Sequence, residues 1–178
     1  MSTAVACWDV DTATTSSHLA IRHRVFVEEQ GVMVLTDIDA WDRDITTINV
    51  LAAHGREVAG TVRLYDLGEG RWKGDRLAVL PAHRASMVGA CLVRYAVATA
   101  AAAGGTSMDA SVQVANVSFF ERLGWRCDGE VGPYFGLPHQ PMVIDLEGVA
   151  PIASAPVSDA VLRLDSVGTS RSSLLVTA

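Results

Sequence analysis

The segment Val88–Ala103 carries the strongest helix signal in the chain, and strand patterns flank it on both sides. It is rich in Ala, Leu and Val, and Gly104–Gly105 predicts its C-terminal cap. Before it, Trp72–Leu80 has the pattern of a strand that stops at Pro81. After it, Thr106–Val114 alternates polar with apolar residues, as a half-buried strand does. This strand–helix–strand order predicts one mixed sheet of α+β or α/β type.

The other segments supply the rest of the predicted sheet and its covering helices. In chain order we expect strand Ala4–Val10, a helix from Ser16 or Ser17 to Gln30, an acidic loop or short helix at Thr36–Arg43, strands Thr47–Ala53 and Val58–Leu67, a short helix Val117–Leu123, and strands Trp125–Glu130 and Met142–Leu146. The two strands around the turn at residues 54–57 predict a hairpin. Residues 1–148 form the predicted domain. Residues 149–178 form a C-terminal extension, either a partly ordered tail or an extra strand near Ala160–Leu164.

Charge and composition narrow the functional classes. The 178 residues suit one domain, and 49% of them are hydrophobic, which is enough for a core. The formal net charge of −6 argues against nucleic acid as a partner and is compatible with a cationic amine. No apolar run suits a membrane span, and the N-terminus lacks a signal-peptide pattern. The three cysteines have no metal-binding spacing, so we expect no metal, and their odd number is typical of a reducing compartment such as the cytoplasm.

The loop before the long helix has the chemistry of a phosphate site. A helix N-terminus presents unpaired N–H groups and a partial positive charge, and small residues let a phosphate approach them. The loop reads Arg84-Ala-Ser-Met-Val-Gly89, and Arg84 adds a fixed positive charge. It contains neither a Walker A motif nor a dinucleotide-binding fingerprint. The alternative is an ordinary strand–turn–helix connection with a solvated arginine.

Four segments, in order, resemble the GNAT superfamily of N-acetyltransferases. Arg84–Gly89 resembles the family's pyrophosphate loop, [QR]-x-x-G-x-[GA], with Met87 where the first glycine usually stands. Asn116–Trp125 resembles its N-x-x-x-[FLY]-[YF]-x-x-x-G-[FW] segment. Two further segments, Arg22–Gln30 and Gly136–Met142, resemble the R-x-x-VFV-x-EQ and G-[IL]-PH-x-x-M segments of one branch. That branch contains acetyltransferases associated with nitrogen-starvation gene clusters. The four segments together are far more specific than any one of them.

This resemblance implies a fold, a co-substrate and a reaction. The fold is the GNAT acyl-CoA N-acyltransferase fold, with a central mixed sheet of six to seven strands flanked by helices. The co-substrate is acetyl-CoA, whose acetyl group passes by direct attack to an amine of an unidentified small molecule or peptide. The resemblance also makes a homodimer an expected state. It places these residues at acetyl-CoA: Leu77, Ala78, Val79, Arg84, Ala85, Ser86, Met87, Val88, Gly89, Ala90, Asn116, Phe119 and Phe120.

Direct transfer needs a base for the amine and stabilisation of the departing thiolate. The family's usual acid is a tyrosine where this chain has Phe120, and a phenyl ring donates no proton. Tyr134 is the replacement candidate, with a rim aromatic as its alternative. The candidate bases are Glu28, Glu29, Asp109 and His139. We favour Glu29 or His139, acting through a water. For His139 the alternative is a ring bonded to backbone beside Pro138.

On the acceptor side, the first helix supplies Arg22 and Phe26. In an α-helix these two residues and Glu29 share one face, at spacings of four and three, and that face can line the acceptor cleft. The alternative is an Arg22–Glu29 ion pair that fixes the helix to the sheet. Arg22 and Phe26 are the predicted substrate-binding residues of this helix.

Two acidic side chains complete the predicted acceptor site. Asp39, together with Asp42, either binds a cationic amine or caps a turn. Asp109 lies on the polar side of its strand and is either part of the site, solvated, or paired with Arg94. Two other functional classes stay open. One is a non-catalytic acyl-CoA-binding module, suggested by the departures from the family pattern. The other is an acyl-homoserine-lactone synthase-like acyltransferase, which shares the fold.

Overall fold

One mixed sheet organises the structure, a computed structural model that describes residues 4–164. Over those residues the strands are β1 (Val5–Asp9), β2 (Ile48–His54), β3 (Glu57–Gly68), β4 (Arg71–Val79), β5 (Ser107–Gln113), β6 (Arg126–Cys127), β7 (Gly132–Tyr134), β8 (Leu137–Asp145) and β9 (Val161–Leu162). Their spatial order is β1-β2-β3-β4-β5-β8-β6, with β7 on β8 and β9 on β3. The β4–β5 and β3–β9 pairs are parallel, and the others are antiparallel. The mixed sheet confirms the predicted fold class.

Three α-helices cover this sheet within the described residues: α1 (Thr15–Arg22), α2 (Val88–Ala102) and α3 (Val117–Arg122). The single helix predicted to reach Gln30 instead changes its winding at Arg22, and His23–Glu29 is a π-helix. The backbone N–H of Gln30 accordingly donates to the carbonyl of Val25, five residues back, at 3.0 Å. A π-helix turns less per residue than an α-helix, so side chains after residue 22 rotate away from the predicted face.

Two apolar layers hold the helices to opposite faces of the sheet. Beneath α2 and α3 the core includes Val62, Leu64, Leu92, Val93, Met108, Val112 and Phe120. Beneath α1 and the π-helix it includes Ile21, Val25, Phe26, Leu51, Ala78 and Leu80. Gly105, after α2, has no space for a side chain, because a Cβ there would lie 2.6 Å from Trp72 Cδ1. The helix-ending glycines therefore also permit close contact with the sheet.

The chain after β8 folds back onto the β2–β3 hairpin. The N–H of Ala155 donates to the carbonyl of Cys7 at 2.8 Å, and β9 then runs parallel to the start of β3. This strand lies within the predicted Ala160–Leu164, whereas residues 165–178 of the predicted extension lie outside the described residues. The predicted strand Trp125–Glu130 shrinks to β6, and β7 was not predicted. No helix among residues 4–164 is long and apolar enough to cross a membrane.

Candidate active site

The parallel strands β4 and β5 separate halfway along their length. Their pairing runs from Arg71–Ser107 to Gly74–Ala110, and no later pair joins them in the described part of the chain. Beyond it, β4 continues along β3 and β5 continues along β8. We call the gap between residues 75–79 and 111–113 the split. The last β4–β5 pair before it, Gly74–Ala110, is its apex. The edge of β4 that contains Leu77, Ala78 and Val79 therefore has no strand beside it on the side of the split among residues 4–164, and an extended ligand there would lie along this edge. One group of the edge, the Val79 carbonyl, accepts from Arg84 Nε.

A bulge in β4 accounts for the divergence. Between the pairs Thr61–Ala78 and Arg63–Asp75, β3 advances by two residues and β4 by three. The extra residue places Arg76 in the left-handed region, with φ of 52°. Such a bulge bends the strand and increases its twist, and it re-aims the side chain that it carries. The bulge thus turns β4 away from β5 just beyond the apex.

The N-terminus of α2 lies at the open end of the split. A Cβ placed on Gly89 would lie 3.7 Å from Val79 Cγ2 and 3.6 Å from Phe119 Cζ, so the first turn of α2 adjoins both β4 and α3. The Ser86 hydroxyl donates to the His83 carbonyl and accepts from the N–H of Val88 at 3.3 Å. The remaining predicted loop residues, Ala85, Met87 and Ala90, belong to the same turn, which joins the 3₁₀ turn Pro81–His83 to α2.

The Arg84 guanidinium is not directed at this helix terminus. Its Nη1 and Nη2 each bind one carboxylate oxygen of Glu29 at 2.6 Å, and its Nε donates to the Val79 carbonyl at 3.0 Å. Only 9% of the residue is exposed. The solvated arginine of the alternative interpretation is therefore wrong. The positive charge of Arg84, predicted to be free, is instead neutralised by Glu29 in an ion pair that connects the π-helix to the end of β4.

The aromatic pair in α3 divides between the split and the core. Phe119 is half-buried and lies beside Gly89, whereas Phe120 is 2% exposed and packs edge-on against Trp125 with ring centroids 5.4 Å apart. Asn116, which is buried, precedes α3 but makes no side-chain capping bond to it. Of the predicted cofactor contacts in this helix, Phe119 is the one placed at the split.

A cleft opens on the sheet face opposite α2, and we call it the acceptor cleft. It is lined by Phe26, Val32, Met33, Arg76, Gln113, Tyr134, Phe135 and His139. Arg76 and Gln113 come from the two strands that border the split, so the cleft communicates with it. Most of the other lining groups are apolar or aromatic. The cleft brings Phe26 of the first helical segment together with Tyr134 and His139 of the β7–β8 hairpin, and the sequence analysis assigned all three to one site.

His139 is held by backbone and by an aromatic ring. Its Nδ1 lies 2.9 Å from the Leu137 carbonyl oxygen, and the Tyr134 ring packs edge-on against it with centroids 5.2 Å apart. A carbonyl only accepts, so Nδ1 carries the proton in this bond and Nε2 is left with its lone pair. The predicted backbone contact is thus present, and it leaves one ring nitrogen able to accept a proton.

A buried ion-pair network adjoins the cleft. It consists of Arg22, Arg63, Arg76, Asp37, Asp39, Asp42 and Asp75. Arg63, at 0% exposure, binds Asp75 through Nε and Nη2 at 2.7 Å and Asp39 through Nη1 at 2.7 Å. Burial lowers the pKa of Arg63, but its hydrogen bonds to Asp75 and Asp39 outweigh burial and raise it above its ordinary value. The guanidinium therefore stays charged.

This network corrects two predictions for the acceptor side. Arg22 is fully buried and binds Asp37 and Asp42, so the predicted Arg22–Glu29 pair is wrong, and Arg22 does not line the cleft. The rotation introduced by the π-helix separates it from Glu29. Asp39 receives the N–H of Trp41 at 2.9 Å and forms a capping box with Asp42, which agrees with the turn-capping alternative.

The other acidic candidates also have partners. Asp109 binds Arg71 across the β4–β5 pair at 2.7 Å, so pairing with Arg94 is wrong. Glu28 binds Arg24 one helical turn earlier at 3.1 Å. The sequence analysis missed the roles of Arg63 and Arg76 altogether. A signal existed for Arg63, because a charged residue inside the apolar strand pattern Val58–Leu67 requires a buried partner.

His18 lies against this network and makes stability depend on pH. Burial, together with nearby Arg22, lowers its pKa from 6.5 to about 4. As the pH falls, His18 in the unfolded chain therefore binds a proton near pH 6.5, whereas His18 in the folded protein binds it only near pH 4. We expect the free energy of unfolding to fall by about 2 kcal/mol between pH 7 and pH 5 from this group.

Urea denaturation at both pH values measures this loss. His18→Gln should remove most of it, whereas His23→Gln, on the exposed side of the next turn, should retain it. An equal loss in all three proteins would assign the acid sensitivity to other groups.

A split between parallel strands, a helix N-terminus at its open end and a cleft on the opposite face together define the acyl-CoA N-acyltransferase class of fold. The sequence model of the Acetyltransferase (GNAT) family matches residues 16–125, which include α1, the split and α3. The chain belongs to the GNAT acetyltransferase family.

Known proteins give the same assignment. The uncharacterized N-acetyltransferase YjcF of Bacillus subtilis (strain 168) is 30% identical over 126 residues, which are 70% of this chain and 88% of YjcF. The crystal structure of Escherichia coli ElaA matches with a TM-score of 0.69 at 21% identity, over 79% of this chain and 99% of ElaA. The structure of the CoA-dependent acyl-homoserine lactone synthase BjaI matches with a TM-score of 0.67 at 17% identity, over 82% of this chain and 85% of BjaI. These two structures share the fold, and the nitrogen-starvation branch stays a prediction.

Proposed function

We propose that the protein is an N-acetyltransferase that moves an acetyl group from acetyl-CoA to a primary amine of a small molecule or peptide. The observation that carries this proposal is the split. It adjoins the N-terminus of α2 at its open end and the acceptor cleft on the other face of the sheet. A thioester lying in the split would meet an amine from the cleft without any covalent enzyme intermediate.

The residues around the split suit the parts of acetyl-CoA. The loop before α2 together with the first residues of this helix, Ala85–Ala90, offers N–H groups to the pyrophosphate. On the edge of β4, the N–H group of Val79 is the donor offered to the pantetheine arm and the developing oxyanion, because Ala78 pairs with Thr61 of β3 and the Val79 carbonyl accepts from Arg84. Met87 does not oppose this role. Its φ of −79° is ordinary for any residue, so the backbone does not require the family's glycine, and its side chain is 56% exposed.

We assign the general base to His139, acting through a water. Its Nε2 lone pair is available once Nδ1 donates to Leu137. The other favoured candidate, Glu29, has both carboxylate oxygens bound to Arg84 at 2.6 Å, so neither oxygen faces a water or an amine while this pair is closed. Tyr134 lies beside His139 and is the candidate proton donor to the thiolate. Because a thiol has a pKa of about 8.5, CoA also leaves as a thiolate near neutral pH.

A binding module without turnover is the second candidate. Phe120 is a core residue at the position where the family pattern has a tyrosine that acts as general acid, and the charge of Arg84 is neutralised by Glu29. Both departures are compatible with a protein that binds acyl-CoA and does not react. An acyl-homoserine-lactone synthase has no support beyond the fold shared with BjaI. CoA release with a primary amine acceptor separates the first proposal from the binding module. CoA release with S-adenosylmethionine as the only accepted amine would favour the synthase.

Met87→Glu is expected to raise the dissociation constant of acetyl-CoA by about 10- to 100-fold, because a carboxylate at the N-terminus of α2 repels the pyrophosphate. Met87→Gln, of the same size and without charge, should bind as the wild type does. The stability of both variants should stay within about 0.5 kcal/mol of the wild type, since the side chain is exposed.

Calorimetric titration with acetyl-CoA measures the affinity, and thiol release with a panel of primary amines measures turnover. Equal affinities in the wild type and both variants would place the cofactor away from α2. Tight binding without thiol release from any amine would favour the binding module.

A further inference from the structure

Lys73 is the single lysine among the 14 lysine and arginine residues of the chain. It lies on β4 opposite Asp109 of β5, one residue before the apex pair Gly74–Ala110. Its neighbours Trp72 and Gly74 lie on the core side under α2, so the side chain of Lys73 lies on the opposite face, the face of the acceptor cleft. The only side-chain amine of an N-acetyltransferase family member therefore lies next to its split.

The Lys73 amine reaches across the two strands at the point where they part. Its Nζ lies 3.1 Å from the Ser111 hydroxyl. Ser111 is the first residue of β5 beyond the apex. Gln113, on the same face of β5 and two residues further, lines the acceptor cleft. The amine thus lies at the narrow end of the split, on the same face of the sheet as the acceptor cleft.

The surroundings of Lys73 make its ammonium less stable than that of an exposed lysine. Burial lowers its pKa below the ordinary lysine value, and the positive charge of Arg71 acts in the same direction, whereas Asp75 and Asp109 oppose them. Its hydrogen-bond partner is a neutral hydroxyl. By contrast, the nearby arginines 63, 71 and 76 are each bound to carboxylates. A neutral amine is the nucleophilic form.

We propose that Lys73 is a self-acetylation site, which acetyl-CoA modifies from the split when no amine fills the acceptor cleft. The inference rests on the proposed function. The Nζ lone pair attacks the thioester carbonyl, the new C–N bond forms and the C–S bond breaks. CoA leaves as the thiolate and takes up one proton, and a lysine that began as the ammonium releases one further proton to solvent. The product is an uncharged amide on the face of the sheet that bears the acceptor cleft.

The experiment incubates the full-length protein with acetyl-CoA and follows intact mass and peptide maps. We expect a gain of one acetyl group on Lys73, formed at least 10-fold faster than in the urea-unfolded chain, because the fold holds amine and thioester together. Lys73→Arg keeps the positive charge and should gain no acetyl group at this position. Met87→Glu, which keeps Lys73, should slow the labelling together with its loss of acetyl-CoA affinity.

Three results would overturn the proposal. One is labelling of Met87→Glu or of the unfolded chain at the wild-type rate, which indicates uncatalysed chemistry. Another is acetylation only at the α-amino group. The third is turnover of amine acceptors by a protein whose Lys73 stays unmodified, which leaves the proposed function intact and removes this inference alone. Absence of both acetyl-CoA binding and labelling would remove the proposed function as well.

Discussion

Replacing Arg63 with alanine is expected to lower the free energy of unfolding by about 3–5 kcal/mol, because it removes the nearest counter-charge from the buried Asp75 and the partly buried Asp39 and leaves Arg76 as their one remaining cation in the network. Arg63 is completely buried and holds Asp75 and Asp39 through four hydrogen bonds of 2.7–2.8 Å. Once the guanidinium is removed, those carboxylates face each other and Asp42 in a site with little access to water. Urea denaturation of the purified variant measures the loss.

Arg71→Ala is the matched control. Arg71 also binds an aspartate on the neighbouring strand at 2.7 Å, but its side chain is 59% exposed. Solvent screens that pair, so its loss should cost at most about 1 kcal/mol. If Arg63→Ala does not fold, Arg63→Lys preserves the charge without the paired donors and should show an intermediate loss. Equal losses in Arg63→Ala and Arg71→Ala would mean that the network contributes little to stability.

His139→Gln is expected to lower kcat/KM for the amine by about 100- to 10,000-fold, the range of a lost general base. The amide occupies similar space but accepts no proton near neutral pH. Affinity for acetyl-CoA should stay unchanged, because His139 lies in the acceptor cleft and not at the N-terminus of α2. Steady-state kinetics with an amine identified by the thiol-release panel give these values.

Glu29→Gln is the control for that assignment. Both carboxylate oxygens of Glu29 are bound to Arg84, so its removal should reduce kcat/KM by less than 10-fold if its role is structural. A loss of 100-fold or more in Glu29→Gln, with near-normal activity in His139→Gln, would transfer the role of base to Glu29. The ion pair with Arg84 would then have to open when acetyl-CoA binds.

The longer elements, such as strand β5 and helix α2, were predictable because their sequence signals are local. The alternation in Thr106–Val114 and the apolar run ended by paired glycines correspond to β5 and α2 within a residue or two. The π-helix had no such signal. Arg22–Gln30 is compatible with an ordinary α-helix by composition, and its wider winding became visible only through the bond from Gln30 to Val25. Short β7 lies in a stretch without enough residues to show a period.

The candidate site divides in the same way. The segment similarity placed Phe26, Tyr134 and His139 in one site, and the structure brings them into one cleft. Partners of the charged residues were mostly mispredicted, because sequence reasoning chose neighbours at helical or strand spacing. Arg84 instead binds Glu29, 55 residues earlier, and Arg63 binds Asp39, 24 residues earlier.

The sequence by itself determined the order of strands and helices, the family and the position of the helix N-terminus that faces the proposed cofactor. Each of these depends on periodicity, caps and motifs within some 20 residues of chain. Only the tertiary structure decided which carboxylate neutralises which arginine, and that the lone lysine lies at the apex of the split. Ion pairing depends on distance and desolvation in three dimensions, and the bulge in β4 that re-aims the side chain of Arg76 appears only there.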